Sequence, residues 1–221
     1  LSLLMGFAAC KSKQPRSANG PVAAGHPPMS PETLRQLRLD SIYVDACALR
    51  MKGNLQESLK LFLTCKQIDP HNPAVSYELG KIYKMLGVND LALANAKQCA
   101  AADPKNEWYQ LLLIDCYNGM RQYVQALKVR EVLVRNFPDH VEFKEDLATQ
   151  YAVVGQYEKA YKIYDELEAV MGVNERFTLY KIKLLREQKK PREMERELLR
   201  LLETDKSETR YYSYLADFYM E

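Results

Sequence analysis

A surplus of one charge sign is missing from this chain: 31 Lys and Arg stand against 29 Asp and Glu, a formal net charge of +2 over 221 residues. Such balance argues against a nucleic-acid binder, which would carry a marked basic excess. Metal-ligand patterns are missing as well. Five cysteines (Cys10, Cys47, Cys65, Cys99 and Cys116) form no CxxC pair and no Cys/His cluster at zinc spacing. The three histidines, His26, His71 and His140, lie apart, without a partner that would make a nucleophile and base. Phosphate loops are absent, since Gly20 to Gly25 has neither the spacing nor the Lys-Ser/Thr ending. No enzymatic activity, cofactor, metal or small-molecule substrate is therefore expected. Glycine is scarce at 9 residues, which disfavours a fold of tight hairpins. What is abundant is Leu, Ala, Glu and Lys, the helix formers, with 15 Tyr.

The opening ten residues differ from the rest. Leu1 to Ala9 is uncharged and mainly apolar, too short to cross a bilayer but suited to the end of a secretory segment. The chain turns polar at Lys11-Ser-Lys-Gln-Pro-Arg16. Phe7-Ala8-Ala9-Cys10 resembles a bacterial lipobox, with Phe7 where Leu is more usual. That resemblance implies cleavage before Cys10 and lipidation of its thiol, with residues 1–9 a signal-peptide remnant. Residues 10–31 then read as a flexible tether, carrying Pro15, Pro21, Pro27, Pro28 and Pro31 without an amphipathic period. Lys11 in place of Asp implies the outer membrane, and the absence of acid after Cys10 implies its periplasmic side.

The remainder, 32–221, repeats itself. Pro70, Pro104 and Pro138 are 34 residues apart, as are Tyr83, Tyr117 and Tyr151; Leu79, Leu113 and Leu147; and Ala92, Ala126 and Ala160. Gly53, Gly87 and Gly155 keep the same register, with Arg121 in the intervening slot. Each unit reads as two helices. In Ser76 to Tyr83 apolar residues recur at helical spacing, and Gly87-Val-Asn89-Asp90 makes a turn whose Asn89 or Asp90 is placed to cap the second helix. Small residues Ala92, Ala96 and Cys99 let that helix approach its neighbours, and Asp103-Pro104 ends it. Cys65 and Cys99 occupy one repeated small slot, so packing explains them better than redox chemistry, although an exported chain could form disulfides.

Leu79-Gly80, Tyr83, Ala92 and Pro104 resemble the tetratricopeptide-repeat signature at its 34-residue period. The resemblance implies an all-α, right-handed α-α superhelix of helical hairpins. Units fall at about 39–72, 73–106, 107–140, 141–174 and 175–208, with a partial unit at 209–221. The fifth departs from the pattern, with Lys181-Ile182, Leu185, Pro191 and Met194 in the signature slots. Stopping within a first helix leaves an apolar face, so the array is expected to continue beyond Glu221.

In that family the first helices line a concave groove that binds peptides or segments of partner proteins. The family's pattern places Tyr43, Cys47 and Arg50 in the groove, then Tyr77, Lys81 and Lys84, then Trp108, Leu111, Asp115 and Asn118. Later units add Glu145 and Thr149, then Leu179, Lys183 and Arg186. Tyr77 and Trp108 could equally pack between helices. The Lys/Asn clamp that some members use for chaperone C-termini is not preserved, and Asp115 would repel a carboxylate.

Arg176, Lys181, Lys183, Arg186, Lys189 and Lys190 form a basic stretch that either meets an acidic surface or is a solvated face, locally balanced by Glu193 to Glu197. The expected function is a lipid-anchored protein-interaction scaffold at the bacterial cell envelope, joined to the membrane through its lipid alone. The alternatives are the sensor region of a larger signalling protein and the recruiting arm of an envelope enzyme.

Overall fold

The computed structural model describes residues 29–220. Within them the chain forms helices and connecting turns, with no strand. Five hairpins follow in order: α1 (Pro31–Met51) with α2 (Leu55–Ile68), α3 (Pro73–Met85) with α4 (Asn89–Ala102), α5 (Glu107–Gly119) with α6 (Tyr123–Asn136), α7 (Val141–Val153) with α8 (Tyr157–Met171), and α9 (Glu175–Glu187) with α10 (Pro191–Thr204). Helix α11 (Thr209–Met220) packs on α10. Cys10 and the lipobox lie outside the described residues, as does the tether up to residue 28. Pro31, read as the end of the tether, is the first residue of α1, where its fixed φ and missing N–H suit a helix start.

The period of the sequence becomes a period of caps. The Asn72 side chain accepts hydrogen bonds from the backbone N–H of Ala74 (3.1 Å) and Val75 (3.2 Å), closing the exposed start of α3. Asn106 does the same for Trp108 and Tyr109, and Asn174 for Phe177. The second helices start differently. Asn89 and Asp90 are the first two residues of α4 rather than its cap, and Val88 precedes them without a side-chain hydrogen bond. The turn itself holds the entry: the Val88 N–H reaches back to the Tyr83 carbonyl (2.9 Å) around Gly87.

That turn requires a left-handed residue. Gly53, Gly87 and Gly155 sit at φ 82°, 74° and 77°, and the same slot is filled by Arg121 at 57° and Lys189 at 56°. Glycine adopts this conformation without a steric penalty, and other L-residues do not.

Packing is sequential: each hairpin touches the next, so the core runs along the array instead of forming one centre. The repeated Ala92, Ala126 and Ala160 are buried at the hairpin crossings, with Leu79, Leu113 and Leu147 buried beside them. Cys65 and Cys99 are fully buried, and Cys47, Cys65, Cys99 and Cys116 are free thiols. Burial pushes the Cys99 and Cys116 thiols up to about 11, so at neutral pH both are protonated fillers of small core slots.

The fifth unit keeps the hairpin although its signature is lost. Lys181 takes the slot of Leu79, Leu113 and Leu147 and is fully buried. Its ammonium meets Asp165 at 2.6 Å, Glu197 at 2.7 Å and Glu168 at 2.9 Å. The Tyr161 hydroxyl donates to Glu197, and Arg200 reaches both Glu197 (2.8 Å) and Glu168 (3.4 Å). Lys181 is thus removed from the basic stretch expected on this helix. Glu197, expected to balance charge along its own surface, turns inward to it.

Candidate functional site

Three first helices build a concave feature, a cleft of about 480 Å³. Arg50 comes from the end of α1; Tyr77, Lys81, Lys84 and Met85 from α3; Trp108, Leu111, Leu112 and Asp115 from α5. Seven of the expected groove residues meet here: Arg50, Tyr77, Lys81, Lys84, Trp108, Leu111 and Asp115. Their 34-residue spacing explains this, because equivalent positions on successive first helices stack along one face.

The cleft has an apolar floor and a charged rim. Trp108 is 59% exposed and so does not pack between helices. Tyr77 is half-buried against Tyr109, ring centroids 5.3 Å apart, and Lys81 Nζ lies 4.7 Å from the Tyr77 ring centroid. Glu78 is buried beneath the rim, ion-paired with Arg50 Nε at 2.9 Å and accepting a hydrogen bond from Lys81 Nζ (3.3 Å). Lys84 pairs with Asp115 across α3 and α5. Asp115 therefore faces the cleft, but with its charge answered by Lys84. Burial, then the nearby Glu78 carboxylate, pushes the Tyr77 phenol up, and it stays neutral.

Other expected groove residues lie elsewhere. Tyr43 packs edge-on against Phe62 at 5.4 Å, inside the first hairpin. Asn118 is half-buried at the end of α5 and does not line the cleft. Glu145 is tied to Arg176 of α9. Lys183 borders a second cleft of about 280 Å³ with Thr149, Tyr157, Tyr164, Tyr180 and Glu187. Arg186 borders a third of about 180 Å³ with Leu179, Tyr214 and Phe218. The Tyr164 ring of α8 and the Tyr180 ring of α9 stack with centroids 5.4 Å apart on the wall of the second cleft.

Met85 and Leu112 complete the lining of the cleft between α3 and α5 and Glu78 supports its rim from below, and none of the three was among the expected residues. Met85 had a signal in Met51, its exposed counterpart one repeat earlier. Glu78 had none, since its role depends on cations from two helices. Among the described residues no group of three or more His, Cys, Asp and Glu is placed to hold a metal ion. No described helix is long and apolar enough to cross a membrane. An apolar floor ringed by cations and one paired carboxylate can hold a bulky side chain and orient the acidic groups beside it.

No family model matches the chain. Over 125 residues, 56% of its length, it is 28% identical to the BBSome complex member BBS4 of Mus musculus, and this match spans 24% of that protein. Among solved structures it is similar to a tetratricopeptide repeat protein from Parabacteroides merdae (TM-score 0.64, 20% identity, covering 82% of this chain and 72% of that one). MamA from Desulfovibrio magneticus matches with a TM-score of 0.61 at 15% identity, covering 77% of this chain and 96% of that one. A structure of Naa15/Naa10 bound to HypK-THB matches at 0.65 and 19% identity, covering 85% and 30%. With the 34-residue register, the stacked hairpins and these neighbours together, the chain folds as an all-α tetratricopeptide-repeat solenoid.

Proposed function

We propose that this chain is a protein-interaction scaffold that takes a segment of a partner protein in the cleft between α3 and α5. The observation that carries this reading is Trp108. It is a large aromatic left exposed over an apolar floor, with Arg50, Lys81 and Lys84 around it. Aromatic and Arg anchors in a concave site are the usual carriers of protein-binding energy. The three cations outnumber Glu78 and Asp115, so the favoured segment presents an apolar side chain flanked by acidic residues. A structure of the same fold is that of an assembly, Naa15/Naa10 with HypK-THB, which agrees with this use of the scaffold.

The resemblance of Phe7 to Cys10 to a lipobox supports a setting for the scaffold: anchored through Cys10 at the bacterial cell envelope, in the outer membrane facing the periplasm. The tether would hold the array off the membrane surface, where it serves an envelope or secretion assembly.

Cross-linking capture with parent, Trp108→Ala and Tyr77→Ala chains tests the cleft. Partner recovery should fall about ten-fold or more for Trp108→Ala, a loss on the scale of one binding hot spot; undiminished recovery would place binding elsewhere. Cys10→Ala should abolish lipid labelling and move the protein to the soluble fraction. An unlabelled parent chain would remove the anchor.

A further inference from the structure

Helix α1 is 21 residues long, whereas α3, α5, α7 and α9 each have 13. The extra length lies at its N-terminus, ahead of Leu39, where the repeat register begins. Opposite the buried side of α1, marked by Leu39 and Ala46, runs a stripe of exposed residues: Leu34, Leu37, Ser41, Val44, Ala48 and Met51. Their spacings alternate between three and four, the seam of a coiled coil, and the stripe is about 25 Å long at 1.5 Å per residue. Leu37 is 50% exposed, Val44 64% and Met51 80%. In α3 the counterparts of Ser41 and Ala48 are Val75 and Ile82, both fully buried against the preceding hairpin. The face of α1 that corresponds to this packing surface has no partner among the described residues.

We propose that a second copy of this chain covers the stripe, with the two α1 helices antiparallel about a two-fold axis near residues 42 and 43. In that register Leu34 meets Met51 of the second copy, Leu37 meets Ala48 and Ser41 meets Val44, and the same three layers repeat on the other side of the axis. The large residues at one end of the stripe thereby face one another or the small ones at its middle. Charge selects this arrangement. Arg38 and Asp45, one heptad apart, flank the seam on the same side and are exposed, and neither pairs with another described residue. In an antiparallel pair both lie between the same two layers, so Arg38 of each copy faces Asp45 of the other. A parallel pair would instead set the Arg38 and Asp45 flank of one copy against the opposite flank of the other, which carries Asp40 and Cys47, and lose that match. The self-complementary pattern is what a two-fold interface demands.

Sedimentation of the 221-residue chain tests this, between roughly 1 and 300 µM, the range in which a short two-helix seam associates. The mass should double as concentration rises. Arg38→Asp and Asp45→Arg should each weaken self-association about ten-fold or more, because each sets like charges opposite one another twice in the dimer. An equimolar mixture of the two variants should dimerise as the parent does, since every facing pair is again of opposite sign. Both positions are exposed, and unchanged far-UV circular dichroism would show that the variants fold. A chain that stays monomeric throughout, single variants that associate like the parent, or a mixture that stays monomeric would each overturn the proposal.

Discussion

Lys181 of α9 holds its ammonium 2.7 Å from the Glu197 carboxylate of α10, and both side chains are withdrawn from solvent. Lys181 stands where the earlier repeats place Leu79, Leu113 and Leu147, and it ties the fifth hairpin to the fourth through Asp165 and Glu168 of α8. Three carboxylates and the Tyr161 hydroxyl gather there, so the lysine stays charged in the core.

Lys181→Leu restores the residue of Leu79, Leu113 and Leu147, yet it should destabilise. Glu168 and Glu197 would remain buried beside an apolar side chain, a loss of about 3–5 kcal/mol. The triple variant Lys181→Leu, Glu168→Val, Glu197→Ile takes its acid replacements from the equivalent positions Val134 and Ile163. It should unfold within about 1 kcal/mol of the parent or later, because a buried ion cluster contributes little over apolar packing. Urea unfolding followed by circular dichroism compares the three chains. A single variant as stable as the triple would show that the cluster carries no desolvation cost.

The same cluster sets a pH window. For Lys181, burial pulls the ammonium pKa down, but hydrogen bonds to Asp165, Glu197 and Glu168 outweigh it and the net shift is upward. For Glu197, burial pushes the carboxyl up, while Lys181 and Tyr161 outweigh it and bring it below its ordinary value. A raised lysine stabilises fully below its unfolded value and loses that contribution as pH rises above about 10.4. A depressed glutamate stabilises above its unfolded value and loses that contribution as pH falls below about 4.3. Thermal unfolding should therefore show a plateau between these limits, with flanks that flatten in the triple variant. Flanks of equal slope in both chains would assign the pH response to other groups.

Arg121 and Lys189 occupy the left-handed slot that Gly53, Gly87 and Gly155 fill elsewhere. Arg121→Gly and Lys189→Gly should each stabilise by about 0.5–1 kcal/mol, since relief of the left-handed strain exceeds the added freedom of the unfolded chain. Gly87→Ala should cost about 1–2 kcal/mol although open space surrounds its Cβ, which isolates the backbone effect from packing. Urea midpoints read both directions, and a neutral Gly87→Ala would remove the conformational account.

The hairpins were legible because the 34-residue register is a local property. A cap at Asn72 and a turn at Gly87 act within a few residues, a small contact at Ala92 acts between neighbouring helices, and their repetition carries the architecture. Tyr43 and Tyr77 show the limit. They share one repeat position, yet Tyr43 packs on Phe62 while Tyr77 opens onto the cleft beside Tyr109. Neighbouring helices, not the position itself, choose between these outcomes.

Periodicity alone therefore led to helix order, turn positions and the face that stacks. Whether a charged residue on that face meets water or a counter-ion was settled by helices brought together from distant parts of the chain. Lys181 read as one cation in a basic stretch and became a buried ion-pair centre, because Asp165, Glu168 and Glu197 converge on it from α8 and α10. Trp108 read as either core or groove and became exposed, since the helices around it already pack on Tyr109 and Leu112. Burial and charge pairing are sums over several helices at once, and a one-dimensional pattern does not contain them.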